Sequence, residues 1–390
     1  MRRLLIVFGT RPEAIKIAPV ALGLRGRRSE FETVLCSTGQ HIDMLNQTLS
    51  VFGLKPDIDL ELMAPRQTLA DLTARAVEAL DNVMTRVRPD LVVVQGDTTS
   101  AMVGALAAYY HRTPVVHVEA GLRTDNPYQP FPEEGNRRLI GTLAALHFAP
   151  TSSAAYRLQQ EGVPERRIFV TGNTVIDSLL CVRENSGHGG TLARPSSRRR
   201  VLVTMHRREN RGAALEGTCR ALLQLVDRNP DVEVVFPVHP SPFVREPATR
   251  LLSGHARIFL TGPLGYQEFI LLMDSCHLIL TDSGGIQEEA PALGKPVLVL
   301  RDTTERPEAI NAGTARLVGP DPSRVLSVTE TLLHNEKAYQ AMARAKNPYG
   351  DGRAAERILA ALRFHFGLLA ERPAPFVPHG VSDRSTEGAA

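Results

Sequence analysis

The chain has 390 residues, of which 43% are hydrophobic and 22% are charged, and its formal net charge is +3 at pH 7. This length predicts two domains with substantial cores, and so small a charge does not indicate a nucleic-acid or membrane-surface partner. The four cysteines are scattered, which argues against a zinc site and a disulfide framework and favours a reducing cytoplasm. No apolar run is long enough to cross a bilayer.

The first half of the chain alternates apolar runs with helical segments. A buried strand at Leu4–Phe8 is followed by a turn and by a helix at Glu13–Leu24, with Pro12 at the helix start. Further strands are predicted at Phe31–Ser37, Leu91–Gln95, Pro114–Val118, Leu146–Ala149 and Ile168–Val170. Further helices are predicted up to Phe52, at Thr68–Val87 with Thr68 as its cap, at Ala101–Tyr110 and at Glu133–Leu143.

The second half repeats this alternation. It follows a crossing segment at Thr171–Arg183 and a Gly/Ser/Arg-rich stretch at Ser186–Arg200, which is expected to be a flexible loop. Strands are predicted at Val201–Thr204, Val232–Pro237 and Arg257–Leu260, and helices at Ala214–Asp227 and Tyr266–Met273. A final helix, Ala354–Leu369, is expected to cross back to the first half.

The stretch from His277 to Glu308 carries the strongest local pattern. A buried strand ends at Thr281, Asp282-Ser283-Gly284-Gly285 turns the chain, and a helix follows to Leu293. Two glycines permit close approach of a ligand, Ser283 is expected to cap the helix, and a helix N-terminus attracts anions. Glu288 and Glu289 lie in the first turns of the same helix, where a carboxylate can accept hydrogen bonds from a sugar hydroxyl. The stretch therefore predicts a nucleotide or nucleotide-sugar site.

The repeated βαβ order predicts an α/β fold with two doubly wound, Rossmann-like domains that face each other across a cleft. The N-terminal domain is predicted at residues 1–172 and is completed by the last helix, at about 352–369. The C-terminal domain is predicted at residues 173–351. The polar, proline-containing tail at 370–390 is expected to be disordered.

Charged side chains gather at the predicted strand ends of both halves. Each one alone is more often a helix cap or a surface residue, but the joint pattern indicates one ligand site. Cationic side chains suit a pyrophosphate, namely Arg11, Lys16, His206 and Arg207. Asp97, Glu119 and Glu133 suit acid–base chemistry, and their mutual repulsion should raise at least one carboxyl pKa. The absence of P-loop, GxGxxG and HExxH motifs argues against a kinase, a simple dehydrogenase and a zinc hydrolase.

Ten segments, in matching order, resemble the non-hydrolysing UDP-N-acetylglucosamine 2-epimerases. The resemblance covers about residues 3 to 365. The segments are GTRPEAIKIAP (9–19), TGQH (38–41), QGDTTSA (95–101), HVEAGLRT (117–124), PEEGNRR (132–138), GNTVIDSL (172–179), HRREN (206–210), PVHP (237–240), TDSGGIQEEAPALGKPVLVLRDTTERPEA (281–309) and NPYGDG (347–352).

The resemblance implies a glycosyltransferase-B-like fold and an isomerase that interconverts UDP-N-acetylglucosamine and UDP-N-acetylmannosamine for cell-surface polysaccharide synthesis. It implies elimination of UDP to 2-acetamidoglucal and re-addition, with no metal or other cofactor. Matching catalytic positions are Asp97, Glu119, Glu133 and His206, and the division of acid and base among the carboxylates stays open. Matching substrate-binding positions are Arg11, Lys16, Arg137, Asn173, His206, Ser283, Gly284, Gly285, Glu289 and Arg301.

The resemblance also implies a homodimer and activation by UDP-N-acetylglucosamine at a second, allosteric site. The matching positions are Gln40, Arg66, Glu133, Arg207 and His239. Asp43 stands where the family often has a glutamine, and a carboxylate near a diphosphate predicts weaker activation here. Three alternatives stay open at this point: a glycosyltransferase of the same fold, a hydrolysing epimerase that releases free sugar, and a non-catalytic UDP-sugar sensor.

Overall fold

The structure is a computed structural model that describes residues 1–39, 42–64, 66–124, 126–185 and 196–378, without the side chains of 42–44. The chain divides into two compact units. Unit 1 contains Met1–Ser178 and Gly350–Val377, and the body of unit 2 is Leu179–Tyr349. The described residues contain no helix that is both long enough and apolar enough to span a membrane.

Unit 1 is built on one parallel sheet with the strand order β3-β2-β1-β4-β5-β6-β7. The strands are almost wholly apolar and buried because helices cover both faces of the sheet. Their bounds are β1 Arg2–Phe8, β2 Phe31–Ser37, β3 Ile58–Asp59, β4 Leu91–Gln95, β5 Val115–Val118, β6 Leu146–Ala149 and β7 Ile168–Val170.

The helices of unit 1 begin at strong caps. A capping box joins Thr10 to Glu13, and the predicted cap at Thr68 is confirmed by a second box with Asp71. Glycine allows the fourth helix to pack closely, since a Cβ on Gly104 would lie 3.1 Å from Val7 and Val94. The bounds are α1 Arg11–Arg25, α2 Ile42–Val51, α3 Leu69–Val87, α4 Thr99–Tyr110, α5 Glu133–Leu143, α6 Ser152–Gln160, α7 Thr174–Asn185, which contains the boundary between the units, and α15 Ala354–His365.

Unit 2 has its own parallel sheet, with the strand order β10-β9-β8-β11-β12-β13. The strand bounds are β8 Arg199–Thr204, β9 Val232–Pro237, β10 Ile258–Thr261, β11 Leu278–Thr281, β12 Val297–Val299 and β13 Ala315–Leu317. The helix bounds are α8 Ala213–Arg228, α9 Pro242–Leu252, α10 Tyr266–Ser275, α11 Gly284–Glu289, α12 Pro307–Asn311, α13 Pro322–His334 and α14 Glu336–Ala343.

Both sheets share one topology, which confirms the predicted doubly wound α/β class. In each sheet the third, second and first strands are followed spatially by the fourth, fifth and sixth, the order of dinucleotide-binding domains. The order reverses between β1 and β4 in unit 1 and between β8 and β11 in unit 2. Open α/β sheets bind ligands at the carboxyl ends of the strands beside such a reversal. In each unit, a ligand site is therefore expected at the carboxyl ends of the strands beside this reversal.

Several predicted features need correction. Helices α6, α9, α12, α13 and α14 and strands β3 and β13 were not predicted; α6 and α9 are short and largely polar. The last helix ends at His365 and not at Leu369, since Gly367 takes a left-handed φ of +71°. Arg199 and Arg200 belong to β8 and not to the preceding loop, whose residues 186–195 lie outside the described part.

The C-terminal segment also departs from expectation. Disorder was predicted from residue 370, yet Phe376 is 3% exposed and its N–H donates to the Val170 carbonyl at 2.8 Å. Arg372 lies over the Phe169 ring, with its guanidinium carbon 4.0 Å from the ring centroid. The segment 372–376 therefore lies along β7, the last strand of its sheet. Residues 379–390 are outside the described part.

Candidate active site

The ends of β4 and β5 in unit 1 carry two carboxylates, Asp97 and Glu119, each bound to a cation. Glu119 accepts from Lys16 Nζ with both oxygens, at 2.7 and 2.6 Å, and also from the Gln95 side chain. The side chains of Glu119 and Lys16 are 6% and 20% exposed. Glu119 has a φ of +65°, which is unusual for a residue other than glycine and is a strain often kept at functional sites.

Asp97 is held by α5. The Arg137 guanidinium donates to its Oδ2 through Nε, at 3.1 Å, and through a second nitrogen, while Asn136 Nδ2 donates to its main-chain carbonyl at 2.9 Å. Glu133 lies one turn before Arg137 on the same helix and therefore on the same face. Its Oε2 atom is buried without a hydrogen-bond partner among the described residues. The structure thus brings α5, with Glu133, to the end of β4.

Hydrogen bonds to the Glu134 carboxylate fix the start of α5. Glu134 is fully buried and accepts from Arg137 at 3.0 Å, from Arg138 at 2.8 Å and from the Thr124 N–H at 3.1 Å. Arg137 therefore bridges Glu134 and Asp97. Sequence reasoning assigned Arg137 a role but gave none to Glu134, because adjacent glutamates at a helix start are alike in sequence.

The loop after β1 is tied to the loop after β4 through Glu13. Its carboxylate accepts from Gly9 N–H at 3.1 Å, from Thr10 N–H at 2.8 Å and from Thr98 Oγ1 at 2.6 Å. Burial raises the pKa of Glu13, and these hydrogen bonds partly offset that effect. The side chain of Arg11, the first residue of α1, makes no hydrogen bond or ion pair with another described residue, so its guanidinium is available to an anion.

In unit 2, Asp282 lies at the end of β11 and is fully buried. The backbone N–H groups of His206 and Arg207 donate to it at 3.0 and 2.9 Å. The imidazole Nδ1 of His206 lies 2.9 Å from its Oδ1 atom. Burial would raise the Asp282 pKa, but the hydrogen bonds from His206 and Arg207 hold that pKa below its ordinary value. Asp282 was predicted only as part of a turn.

Glu305 joins two of the predicted functional arginines of unit 2. Its carboxylate pairs with Arg207 Nη2 at 2.7 Å and with Arg301, whose Nε also pairs with Glu209 at 2.6 Å. Burial raises the Glu305 pKa, but its own backbone hydrogen bond and the two arginines lower it to about 2. A Cβ on Gly284 would lie 2.8 Å from Glu305 Oε1, so the carboxylate lies against the glycine turn. Glu305 was not predicted.

The predicted glycine turn differs in detail from expectation. Ser283 occupies the N-cap position of α11, but its side chain makes no capping hydrogen bond, so that prediction is wrong. Its N–H donates to Thr281 Oγ1 at 2.9 Å instead. Glu288 is 3% exposed and pairs with Arg306, whereas Glu289 is half-buried. Of the two adjacent glutamates, Glu289 is thus the more accessible to a ligand.

The other predicted positions are more scattered. The His239 ring stacks on that of His206 with centroids 6.2 Å apart. Arg66 is exposed and has a φ of +58°. Asn173 is 3% exposed, and its Oδ1 accepts from the Val175 N–H at 3.1 Å, as a cap of α7. Gln40 and the Asp43 side chain lie outside the described residues.

Comparison with known proteins gives a consistent result. The family model described as UDP-N-acetylglucosamine 2-epimerase matches residues 25–363. The chain is 50% identical over 372 residues to the UDP-N-acetylglucosamine 2-epimerase of Yersinia pestis, covering 93% of this chain and 99% of that protein. Among solved structures, it resembles the Neisseria meningitidis UDP-GlcNAc 2-epimerase bound to UDP-GlcNAc, with a TM-score of 0.84 and 44% identity over 92% of this chain and 99% of that one.

A further similar structure is that of S. aureus MnaA with UDP, with a TM-score of 0.85 and 43% identity over 97% of this chain and all of that one. These matches extend over both units, each of which places charged side chains at the switch point of its sheet. The resemblance stated from the ten segments is therefore confirmed. The chain belongs to the UDP-N-acetylglucosamine 2-epimerase family.

Proposed function

We propose that this chain interconverts UDP-N-acetylglucosamine and UDP-N-acetylmannosamine by eliminating UDP and adding it back. The observation that supports this proposal best is the arrangement of Glu119 and Asp97 at neighbouring strand ends. Each carboxylate is oriented by its own cation, Lys16 or Arg137, in a partly buried setting. Such pairs keep carboxylates ordered for proton transfer to and from a bound sugar.

The chemistry explains why elimination is the reasonable route. Carbon 2 of the sugar has no adjacent carbonyl, so a carbanion there would lack stabilisation. In the proposed first step a base takes the proton from carbon 2 and the bond from carbon 1 to the β-phosphate oxygen breaks. The C–H electron pair forms the double bond of 2-acetamidoglucal, and UDP leaves with the C–O pair. Re-addition of UDP to carbon 1, with a proton delivered to the other face of carbon 2, gives the epimer.

Asp97, Glu119 and Glu133 are proposed to share the roles of base and acid. Glu133 has a buried Oε2 without a partner among the described residues, so it can exchange a proton without first breaking an ion pair. Lys16 and Arg137 are proposed to orient the other two carboxylates or to contact the phosphates. The three carboxylates are assigned these roles jointly.

The nucleotide is proposed to bind at the switch point of unit 2. The side chains of His206 and Arg301 are proposed to donate hydrogen bonds to the pyrophosphate, together with the backbone N–H groups of the Ser283-Gly284-Gly285 turn. Glu289 is proposed to accept hydrogen bonds from the ribose hydroxyls. Arg11 of unit 1 is proposed to neutralise the leaving UDP, and Asn173 to contact the substrate. The Neisseria meningitidis and S. aureus proteins, solved with UDP-GlcNAc and UDP, support ligands of this class.

UDP-N-acetylglucosamine is also proposed to activate the enzyme at a second site. The proposed contacts are Gln40, Arg66, Glu133, Arg207 and His239. In support, the ring of His239 stacks on that of His206, so a ligand that moves one ring would also shift the other. The expected result is that traces of UDP-N-acetylglucosamine accelerate conversion of UDP-N-acetylmannosamine, and that Arg66→Ala reduces this acceleration. Hyperbolic, unassisted conversion would show that the regulation is absent.

Family membership also leads us to propose a homodimer that supplies precursors for a cell-surface polysaccharide. Light scattering during gel filtration tests the dimer, which requires a mass twice that of the chain. Loss of a surface glycan in a deletion strain, restored by the gene but not by an Asp97→Asn copy, would support the pathway role. An unchanged surface glycan would contradict it.

One proton NMR time course tests the activity directly. Purified protein is incubated with UDP-N-acetylglucosamine in heavy water without added metal or acceptor. The expected result is a UDP-N-acetylmannosamine anomeric signal and entry of deuterium at carbon 2. Free N-acetylmannosamine plus UDP would instead identify a hydrolysing enzyme. An unchanged spectrum, from protein shown to bind UDP, would overturn the epimerase proposal.

A further inference from the structure

The buried carboxylate of Asp282 in unit 2 is surrounded by donors from one loop. It accepts hydrogen bonds from the backbone N–H groups of His206 and Arg207 and from Asn210 Nδ2, at 3.0, 2.9 and 3.0 Å. His206 Nδ1 makes a fourth contact, at 2.9 Å. Asp282 is fully buried and Asn210 is 5% exposed. Since each donor belongs to the segment after β8, one carboxylate organises that whole segment.

Asn210 shows that this arrangement is fixed by the fold. Its side-chain amide donates to Asp282 and also to the Leu300 carbonyl at 3.0 Å, at the end of β12. The loop after β8 is therefore tied to the ends of both β11 and β12. A carboxylate held by several donors stays ionised and keeps its orientation. The low pKa of Asp282 agrees with this reading.

The consequence for His206 is a defined proton position. A carboxylate accepts a hydrogen bond and cannot donate one when ionised, so Nδ1 of the facing imidazole must carry a proton. The other ring nitrogen, Nε2, is then the atom left for a ligand. The His206 side chain is 41% exposed, so the ring extends from the buried carboxylate toward solvent.

We propose that Asp282 is a positioning residue that holds a proton on His206 Nδ1 and orients the ring, so that Nε2 faces the departing UDP and donates to it when the imidazole carries its second proton. The role of Nε2 rests on the proposed function, whereas the orientation of the ring does not. Asp282 does not itself contact substrate in this scheme. Its effect on turnover is transmitted through the imidazole of His206.

The decisive experiment compares Asp282→Asn with the native chain. In protein labelled with ¹⁵N-histidine, the native His206 signals should show a proton on Nδ1, and the substitution should change that pattern. The turnover number should fall about 10- to 100-fold, as expected for loss of a charged hydrogen bond. KM should change much less, because the loop still closes around a residue of the same shape.

A matched control exists in the same unit. Asp227 Oδ1 contacts His255 Nε2 at 3.3 Å, and its side chain is 67% exposed. Asp227→Asn therefore removes the carboxylate partner of another histidine without touching the loop after β8. It should leave the turnover number and the His206 signals unchanged. The same loss from both substitutions would show a general effect of removing charge and would overturn the proposal.

A double-mutant cycle separates positioning from a purely structural role. If Asp282 acts through the imidazole, adding Asp282→Asn to His206→Asn should cost little further turnover. Additive losses, or an unchanged His206 tautomer in Asp282→Asn, would overturn the proposal. If Asp282→Asn does not fold, Asn210→Ala removes one donor and should broaden or shift the His206 signals. Native signals in that variant would count against the proposal.

The readouts also distinguish this inference from the proposed function. The histidine spectrum is recorded without substrate, so it tests the Asp282–His206 relationship even if the chain proves not to be an epimerase. A normal tautomer effect with no epimerase activity would overturn the proposed function alone. Epimerase activity with an unchanged tautomer would overturn the positioning role alone.

Discussion

Lys16 on α1 and Glu119 after β5 form an ion pair, in which Nζ lies 2.7 and 2.6 Å from the two carboxylate oxygens. The two residues are 103 positions apart in the chain. The Glu119 side chain is 6% exposed, so the lysine compensates a charge that is largely shielded from water. The pair therefore links the first βα unit of unit 1 to the strand end that carries the proposed chemistry.

Removing only the lysine should be costly. Lys16→Met removes the cation from the Glu119 carboxylate, whose side chain is 6% exposed, and should lower the free energy of unfolding by about 3 kcal/mol. The double variant Lys16→Met/Glu119→Gln should recover part of this loss because no charge is left unpaired. Urea unfolding of the two single variants and the double variant measures the coupling. Strictly additive losses would show that the pair contributes no interaction of its own.

The three proposed acid–base residues should be individually necessary for turnover. Asp97→Asn, Glu119→Gln and Glu133→Gln should each lower the turnover number by about 10²- to 10⁴-fold, since each removes a group that transfers or orients a proton. Coupled assay of UDP-N-acetylmannosamine formation measures this, with circular dichroism to verify folding. Asp81→Asn, an exposed partner of His111, is the control and should retain native turnover. Near-native turnover in all three variants would remove the carboxylate mechanism.

Two buried histidines should make unit 1 sensitive to acid. His117 and His147 face each other in register on β5 and β6, and each is 1% exposed. Burial lowers the pKa of His117 to about 3 and that of His147 to about 4, while a carbonyl hydrogen bond from each partly opposes the shift. The unfolded chain therefore binds protons first as the pH falls below about 6.5, so stability rises with pH in this window and is lost on acidification.

Replacing one of these histidines tests the sign of that effect. Between about pH 7 and about pH 5, His147→Gln should lose less stability than the native chain, by on the order of 2 kcal/mol. Urea midpoints at the two pH values supply the comparison. Between about pH 7 and about pH 8 the two proteins should show the same change, because neither state gains protons at these histidines. If both proteins lose the same free energy of unfolding on acidification, His147 is excluded as a cause of the acid sensitivity.

The C-terminal segment should contribute to the stability of unit 1. Phe376→Ala empties a buried site next to β7 and should lower the free energy of unfolding by about 3 kcal/mol. Val377→Ala changes the next residue, which is 54% exposed, and should have little effect. Thermal unfolding and light scattering measure stability and self-association, since an uncovered edge strand pairs readily with other chains. Equal stability in the two variants would show that residues 372–376 do not stabilise the sheet at β7.

The strands at the centre of the fold were predictable because a strand that is buried on both faces consists of consecutive apolar residues, which are easily recognised in a sequence. The bounds of β4, β6, β7 and β9 agree with prediction residue for residue. Among the helices that were not predicted, α6 and α9 are short and largely polar, and Pro247 lies inside α9. The last helix was predicted too long because a glycine can also lie inside a helix, so Gly367 does not by itself mark the end of one. In the structure Gly367 takes a left-handed φ and the helix has ended before it.

The sequence by itself determined the alternation of strands and helices, the family and the identity of the charged strand-end residues, since all of these depend on neighbouring residues in the chain. Only the tertiary structure decided which charges meet. Arg207 and Glu305 are 98 positions apart, and Asp282 after β11 contacts His206 after the neighbouring strand β8. Such pairings depend on strand order, which periodicity does not encode. For the same reason, the burial of Phe376 against β7 could not be predicted from the sequence and became evident only in the folded structure.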